Sequence, residues 1–132
     1  MSTLFSQIIN REIPGRFVYE DDICVAFLTI EPLSPGHTLV VPRVEVDHWL
    51  DLDEATLNHL VGVAARIARA IDDVYQPTKV GMIIAGLEVP HVHIHVMAIN
   101  DNSDLDFARV DRSPDPGDLD ESARLLATAL GR

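Results

Sequence analysis

The stretch Val89-Pro90-His91-Val92-His93-Ile94-His95-Val96 decides how this chain folds. Three of the six histidines fall here, at every second position. Alternate residues of a β-strand point to the same face. A strand over 89–98 therefore sets His91, His93 and His95 in a row, with neighbouring imidazoles about 6.5–7 Å apart. Val92, Ile94 and Val96 turn the other way, into a core. One face is apolar, and the other carries groups able to act as nucleophile, acid or base near neutral pH.

Three readings of the row compete. It is a strand with a histidine solvent face, a metal site, or a centre for nucleophilic catalysis by one tuned imidazole. Two histidines two apart on a strand can share a metal, and neutral imidazoles suit zinc. The first and last residues of a straight strand diverge, so a metal needs a further ligand from elsewhere.

Other segments place the row in context. Phe5-Ser6-Gln7-Ile8-Ile9-Asn10-Arg11-Glu12-Ile13-Pro14, Val18-Tyr19-Glu20-Asp21-Asp22, Ala26-Phe27, Pro35-Gly36-His37-Thr38-Leu39-Val40-Val41-Pro42 and Ala85-Gly86 before the triad occur in that order. With His-apolar-His-apolar-His-apolar they resemble the histidine triad (HIT) family of nucleotide hydrolases and transferases, in its branch of small phosphoramidases. The likeness spans roughly residues 3 to 97. It implies the α+β HIT fold and a double displacement at the α-phosphorus of a nucleotide.

The resemblance also implies roles. His93 is the expected nucleophile, giving a nucleotidyl-histidine that water resolves. His91 is expected to position its ring, and His95 and His37 to contact the phosphate or leaving group. Thr29, Leu87 and Glu88 are the expected substrate contacts, and all three depart from the family pattern. Thr29 stands where an aspartate commonly holds the ribose hydroxyls, Ala85 replaces an asparagine, and Gly86-Leu87-Glu88 replaces Gly-Gln-Ser/Thr. Thr3 and Ser6 stand where many HIT proteins have two cysteines of a structural zinc site, so that site is expected to be absent. No metal or cofactor enters the implied scheme. Members of this branch are usually homodimers, which is the expectation here. Two alternatives stay open: a nucleotide-binding or interaction module without catalysis, and a zinc-dependent hydrolase using His91 or His93 with His37.

Composition sets limits. The 132 residues suit one domain, taken as 1–132, with one core. No apolar run approaches the ~20 residues of a membrane span, and no signal peptide is apparent, so a cytoplasmic location is expected. Cys24 is the single cysteine, read as a buried, inert thiol. A net charge of −11 argues against a nucleic-acid backbone as partner. It also means that a bound phosphate needs local N–H donors.

Along the chain, Leu4, Phe5, Ile8 and Ile9 share a helical face, capped by Ser2 or Thr3. Phe17–Tyr19 and Ile23–Leu28 read as strands around Glu20-Asp21-Asp22, and His37–Val41 as a third. Asp51-Leu52-Asp53-Glu54 has capping-box spacing. It precedes a helix with Leu57, Leu60, Val61, Ala64, Ile67, Ala68, Ile71 and Val74 inward. His48 and His59 read as surface or interface residues. Lys79–Ala85 and Val89–Ala98 read as strands joined by a short turn at Gly86-Leu87-Glu88. Residues 100–117 read as polar loop and Asp118–Leu130 as a closing helix. The order predicts a five-stranded antiparallel sheet with helices on one side.

Overall fold

The computed structural model describes residues 2–132. Helix α1 (Leu4–Ile9) leads into strands β1 (Phe17–Glu20), β2 (Cys24–Leu28) and β3 (Thr38–Pro42), then helix α2 (Glu54–Tyr75). Strands β4 (Lys79–Ile84) and β5 (Ile94–Ile99) and helix α3 (Pro116–Ala129) follow. The strands form one antiparallel sheet in the order β1-β2-β3-β5-β4, the α+β architecture that the sequence predicts. No helix among the described residues is long and apolar enough to cross a membrane.

The sheet buries both faces, which corrects the expectation of helices on one side. All five β2 residues, Cys24 to Leu28, are buried. Cys24, Ala26 and Leu28 join Val40, Ile94, Val96 and Ala98 against α2 and α3. Val25, Phe27, Leu39 and Val41 join Phe5, Ile8 and Ile9 of α1 on the opposite face. The histidine side of β5 belongs to this second face. An unbroken apolar run such as Val25-Ala26-Phe27-Leu28 is what a strand covered on both sides requires.

Helix α2 starts at Asp53, whose side chain accepts from the Thr56 amide; the capping box from Asp51 does not form. Asp51 lies instead in a single 3-10 turn, Trp49–Asp51. The inward face is Leu60, Val63, Ala64, Ile67, Ala70 and Ile71. Val63 and Ala70 join the expected face, Ala68 packs partly buried against the same core, and Val61 alone of the expected residues is exposed. Leu126 of α3 is fully buried against it, and Tyr75 donates to the Ser122 hydroxyl at 2.7 Å. Helix α3 thus docks on α2.

The β1–β2 turn is locked by Asp21. Its Oδ1 accepts from the Ile23 and Cys24 amides at 2.8 Å each. Its Oδ2 accepts from the Tyr19 hydroxyl and from His59 Nε2 of α2, both at 2.7 Å. Burial pushes this carboxyl up, but these donors together hold it well below the usual range. Cys24 lies beside it, pushed up to about 12 by burial and by the Asp21 charge. The thiol is therefore buried and inert, as expected. Asp21, Cys24 and His59 also converge at metal-ligand spacing. Both carboxylate oxygens are already bonded, so the cluster is accounted for as a lock between hairpin and helix.

Candidate active site

Two turns and one strand deliver the histidines. Gly36 adopts φ +84°, and a Cβ there would meet Tyr75 Cε2 at 2.5 Å. Only glycine fits this bend, which turns the chain into β3 and sets His37 at its start. The triad segment is regular only from Ile94, where pairing with β3 stops at Val40. This shortens the strand expected over 89–98. Pro90 has no amide to donate, and the His91 amide turns back to the Val89 carbonyl at 2.8 Å. The Val92 amide bonds the Val46 carbonyl instead of β3. The β4–β5 connection is correspondingly longer than the short turn expected at 86–88.

Alternation survives this irregularity. His91, His93 and His95 are 0, 2 and 6% exposed, and His37 is 2% exposed. A solvent-facing row is thereby excluded. The rings of His93 and His95 have centroids 4.9 Å apart, closer than the strand spacing because the side chains lean together. Phe5 meets the His93 ring edge-on at 4.8 Å, and Phe107 meets His95 at 4.9 Å. The sequence reading passed over both aromatics as site residues. Phe107 is the single aromatic in the polar segment 100–117, which is the signal that could have marked it.

Backbone groups assign a tautomer to every ring. A carbonyl can only accept and an amide can only donate. His91 Nε2–H donates to the Pro42 carbonyl at 2.8 Å. Its Nδ1 accepts from the Thr3 hydroxyl, also at 2.8 Å. His93 Nδ1–H donates to the His91 carbonyl at 2.8 Å, so its Nε2 carries the free lone pair. His37 Nδ1 accepts from the Leu33 amide at 3.0 Å. His37 Nε2–H must then donate to His95 Nδ1, 2.9 Å away, which leaves His95 Nε2 with the proton. That nitrogen is the buried side-chain atom left without a hydrogen-bond partner among the described residues. A lone pair on His93 and an N–H on His95 thus stand side by side.

His37, His95 and His91 are held neutral. Burial foremost, with the neighbouring imidazoles of His95 and His93, lowers His37 to about 3. Burial and His93 lower His95 to about 4. Burial lowers His91 as well, against the pull of its Pro42 bond and of Glu45. Donors rather than positive charge therefore meet an anion here.

These groups open on a hollow of about 830 Å³ between α1, the sheet and the 105–112 segment, within the size range of small-molecule sites. His37, His93, His95, Thr29 and Glu88 all line it. Thr29 is half-buried there, its hydroxyl accepting from the Glu31 amide at 3.1 Å. His91 sits behind the wall as a support for His93. Leu87 is 92% exposed and lies outside the lining, a departure from its expected place as a substrate contact. Glu88 turns its carboxylate to 3.7 Å from His93 Nε2. Arg16 and Arg112 also reach the rim, each paired with a carboxylate, Asp120 at 2.8 Å and Glu31 at 3.0 Å.

Metal readings fit these residues poorly. Both ring nitrogens of His91 and of His37 are engaged, so neither offers a lone pair to share with His93. Glu88, His93 and His95 lie at ligand spacing, but His95 Nε2 carries a proton. At the positions of the family's two cysteines, Thr3 bonds His91 and the Ser6 hydroxyl donates to Glu45 at 2.8 Å. Neutral hydroxyls are poor zinc donors, and a hydrogen-bonded clamp takes that place.

The HIT domain model matches residues 10–102. The chain belongs to the HIT family. It is 37% identical over 101 residues to the purine nucleoside phosphoramidase of Escherichia coli, covering 72% of this chain and 85% of that one. It is 36% identical over 113 residues to an uncharacterized HIT-like protein of Borreliella burgdorferi, covering 80 and 81%. A zinc-bound histidine triad protein of Mycobacterium smegmatis superposes with a TM-score of 0.85 at 31% identity, covering 99% of this chain and 94% of that one. A hypothetical histidine triad nucleotide-binding protein of Sulfolobus tokodaii superposes at 0.84 with 27% identity, over 96 and 91%.

Proposed function

We propose that this HIT protein is a nucleotide hydrolase or transferase acting at the α-phosphorus of a nucleoside phosphoramidate or related ester, through a nucleotidyl-His93 intermediate. The observation that carries the reading is the adjacency of a free lone pair on His93 Nε2 and an unpartnered N–H on His95 Nε2. A nucleophile needs the first. The phosphoryl oxygens, where charge gathers in the transition state, need the second. The likeness to a purine nucleoside phosphoramidase supports the substrate class.

In this scheme Nε2 attacks phosphorus and the Nε2–P bond forms. The bond from phosphorus to the leaving nitrogen breaks, its electron pair going to that nitrogen, which takes a proton from water. The His91 carbonyl, bonded to Nδ1–H, steadies the positive charge that develops on the ring. The hydroxide equivalent then attacks phosphorus, releasing the nucleoside monophosphate and neutral His93. The nucleotide is the small-molecule partner, and the usual family homodimer is a separate expectation for light scattering to test.

Quenched turnover of an adenosine phosphoramidate should yield a protein adduct of one nucleotidyl mass, mapped to His93 by peptide mass spectrometry. Binding of nucleoside monophosphate without any turnover of phosphoramidates would replace this reading with a binding module.

A further inference from the structure

Resting on that reading, we infer that Glu88 makes a cation subsite beside His93, so that this enzyme favours substrates whose leaving group carries a positive charge. Three observations converge on it. The carboxylate stands 3.7 Å from the nucleophilic Nε2 and lines the same hollow. The other rim carboxylates, Glu31 and Asp120, are already paired with arginines, whereas Glu88 has no arginine or lysine partner among the described residues. Its side chain is 57% exposed, so it can turn toward a group entering from solvent.

Charge decides what that group is. A carboxylate this close to the phosphoryl position repels a bare phosphate, and His37 and His95, held neutral by burial, supply no compensating charge. A cationic substituent on the substrate converts the same carboxylate from an obstacle into a contact. Direction decides which part of the substrate carries it. The apolar side of the hollow, with Phe5, Ile8, Phe27 and Leu39, suits a nucleobase. In-line displacement puts the leaving atom across phosphorus from Nε2, on the order of 4–5 Å away. Glu88, lining the hollow with a 57% exposed side chain, lies within reach of a charged group a few bonds beyond that leaving atom. The favoured leaving groups are amines with a second, protonated amino group, and polyphosphate leaving groups are disfavoured.

The test compares adenosine 5′-phosphoramidates of n-butylamine and of 1,3-diaminopropane, whose leaving groups match in length and differ by one terminal charge. The wild-type protein should show kcat/KM about fivefold higher for the cationic substrate, the upper range for an exposed ion pair. Added salt should shrink the ratio. Glu88→Gln should bring it to about one, and Glu88→Lys should invert it; a purely structural role for Glu88 would move neither ratio. Equal wild-type turnover of the two substrates, or a ratio unchanged in Glu88→Gln, overturns the inference and leaves the phosphoramidase reading standing. Turnover of neither substrate overturns both.

Discussion

Acid should destabilise this protein well above the pH at which carboxylates titrate. The perturbation is a shift from pH 7.5 to 5.0. An unfolded histidine titrates near 6.5, while His95 and His37 are held at about 4 and about 3 in the fold. Both folded values are depressed, so the unfolded chain binds more protons throughout this window. Stability is therefore full above pH 6.5 and falls as the pH drops toward the folded values. Each group contributes a slope of about 1.4 kcal/mol per pH unit. Between 6.5 and 5.0 that amounts to about 2 kcal/mol for each ring, or about 4 kcal/mol for the pair. His91, lowered in the same direction, adds to it. Such a loss is a large part of a typical domain's 5–15 kcal/mol.

Urea unfolding at half-unit pH steps measures this directly, as the change of unfolding free energy with pH. The wild-type slope below pH 6.5 should correspond to at least two protons taken up on unfolding. His95→Asn should reduce it by about one proton, or about 1.4 kcal/mol per unit. A flat profile between pH 7.5 and 5.0, or an unchanged slope in His95→Asn, would refute the claim that these rings are buried neutral.

Three further outcomes follow from the same geometry. His93→Asn should lower turnover by orders of magnitude while nucleoside monophosphate binding, followed by calorimetry, survives; His95→Ala should cost less, because the nucleophile remains. Thr29 places a neutral hydroxyl already bonded to the Glu31 amide on the pocket wall. Discrimination between ribo- and deoxyribonucleotide substrates in kcat/KM should accordingly be weak, since loss of its partner leaves no buried charge unpaired. Ile67→Ala, at a fully buried α2 position, should lower unfolding free energy by about 2–5 kcal/mol in urea.

The order of elements along the chain and the alternation of the triad were legible in the sequence, because each rests on a local period or breaker; the placing of His37 beside the triad came from the family resemblance. The burial of the triad face was less so. Histidine reads as polar, and a polar face suggests water, yet α1 and the 105–112 segment cover it. The clue lay on another strand: Val25-Ala26-Phe27-Leu28 has no polar alternation and so needs a cover on each side. The placing of Leu87 and Glu88 was not legible. It depends on a bend set by Pro90 and by a single amide bond from Val92 to Val46, contacts with no periodic signature.

Burial changes what the triad means. A solvent-facing imidazole exchanges either proton with water and has no fixed tautomer. Four imidazoles sealed against a sheet must each satisfy both nitrogens or lose stability for every one left bare. Here the Pro42 carbonyl, the His91 carbonyl and the Leu33 amide each fix one ring, and Thr3 and His37 satisfy the second nitrogens of His91 and His95. What is left over is confined to two atoms that face the same hollow, one lone pair and one N–H. A fold selected for stability alone would fill that space with apolar side chains and pair both atoms or dispense with them. The two exceptions to an otherwise complete network therefore mark where a ligand is expected, and their opposite hydrogen-bonding character defines it as a group with an electrophilic centre beside an anionic oxygen.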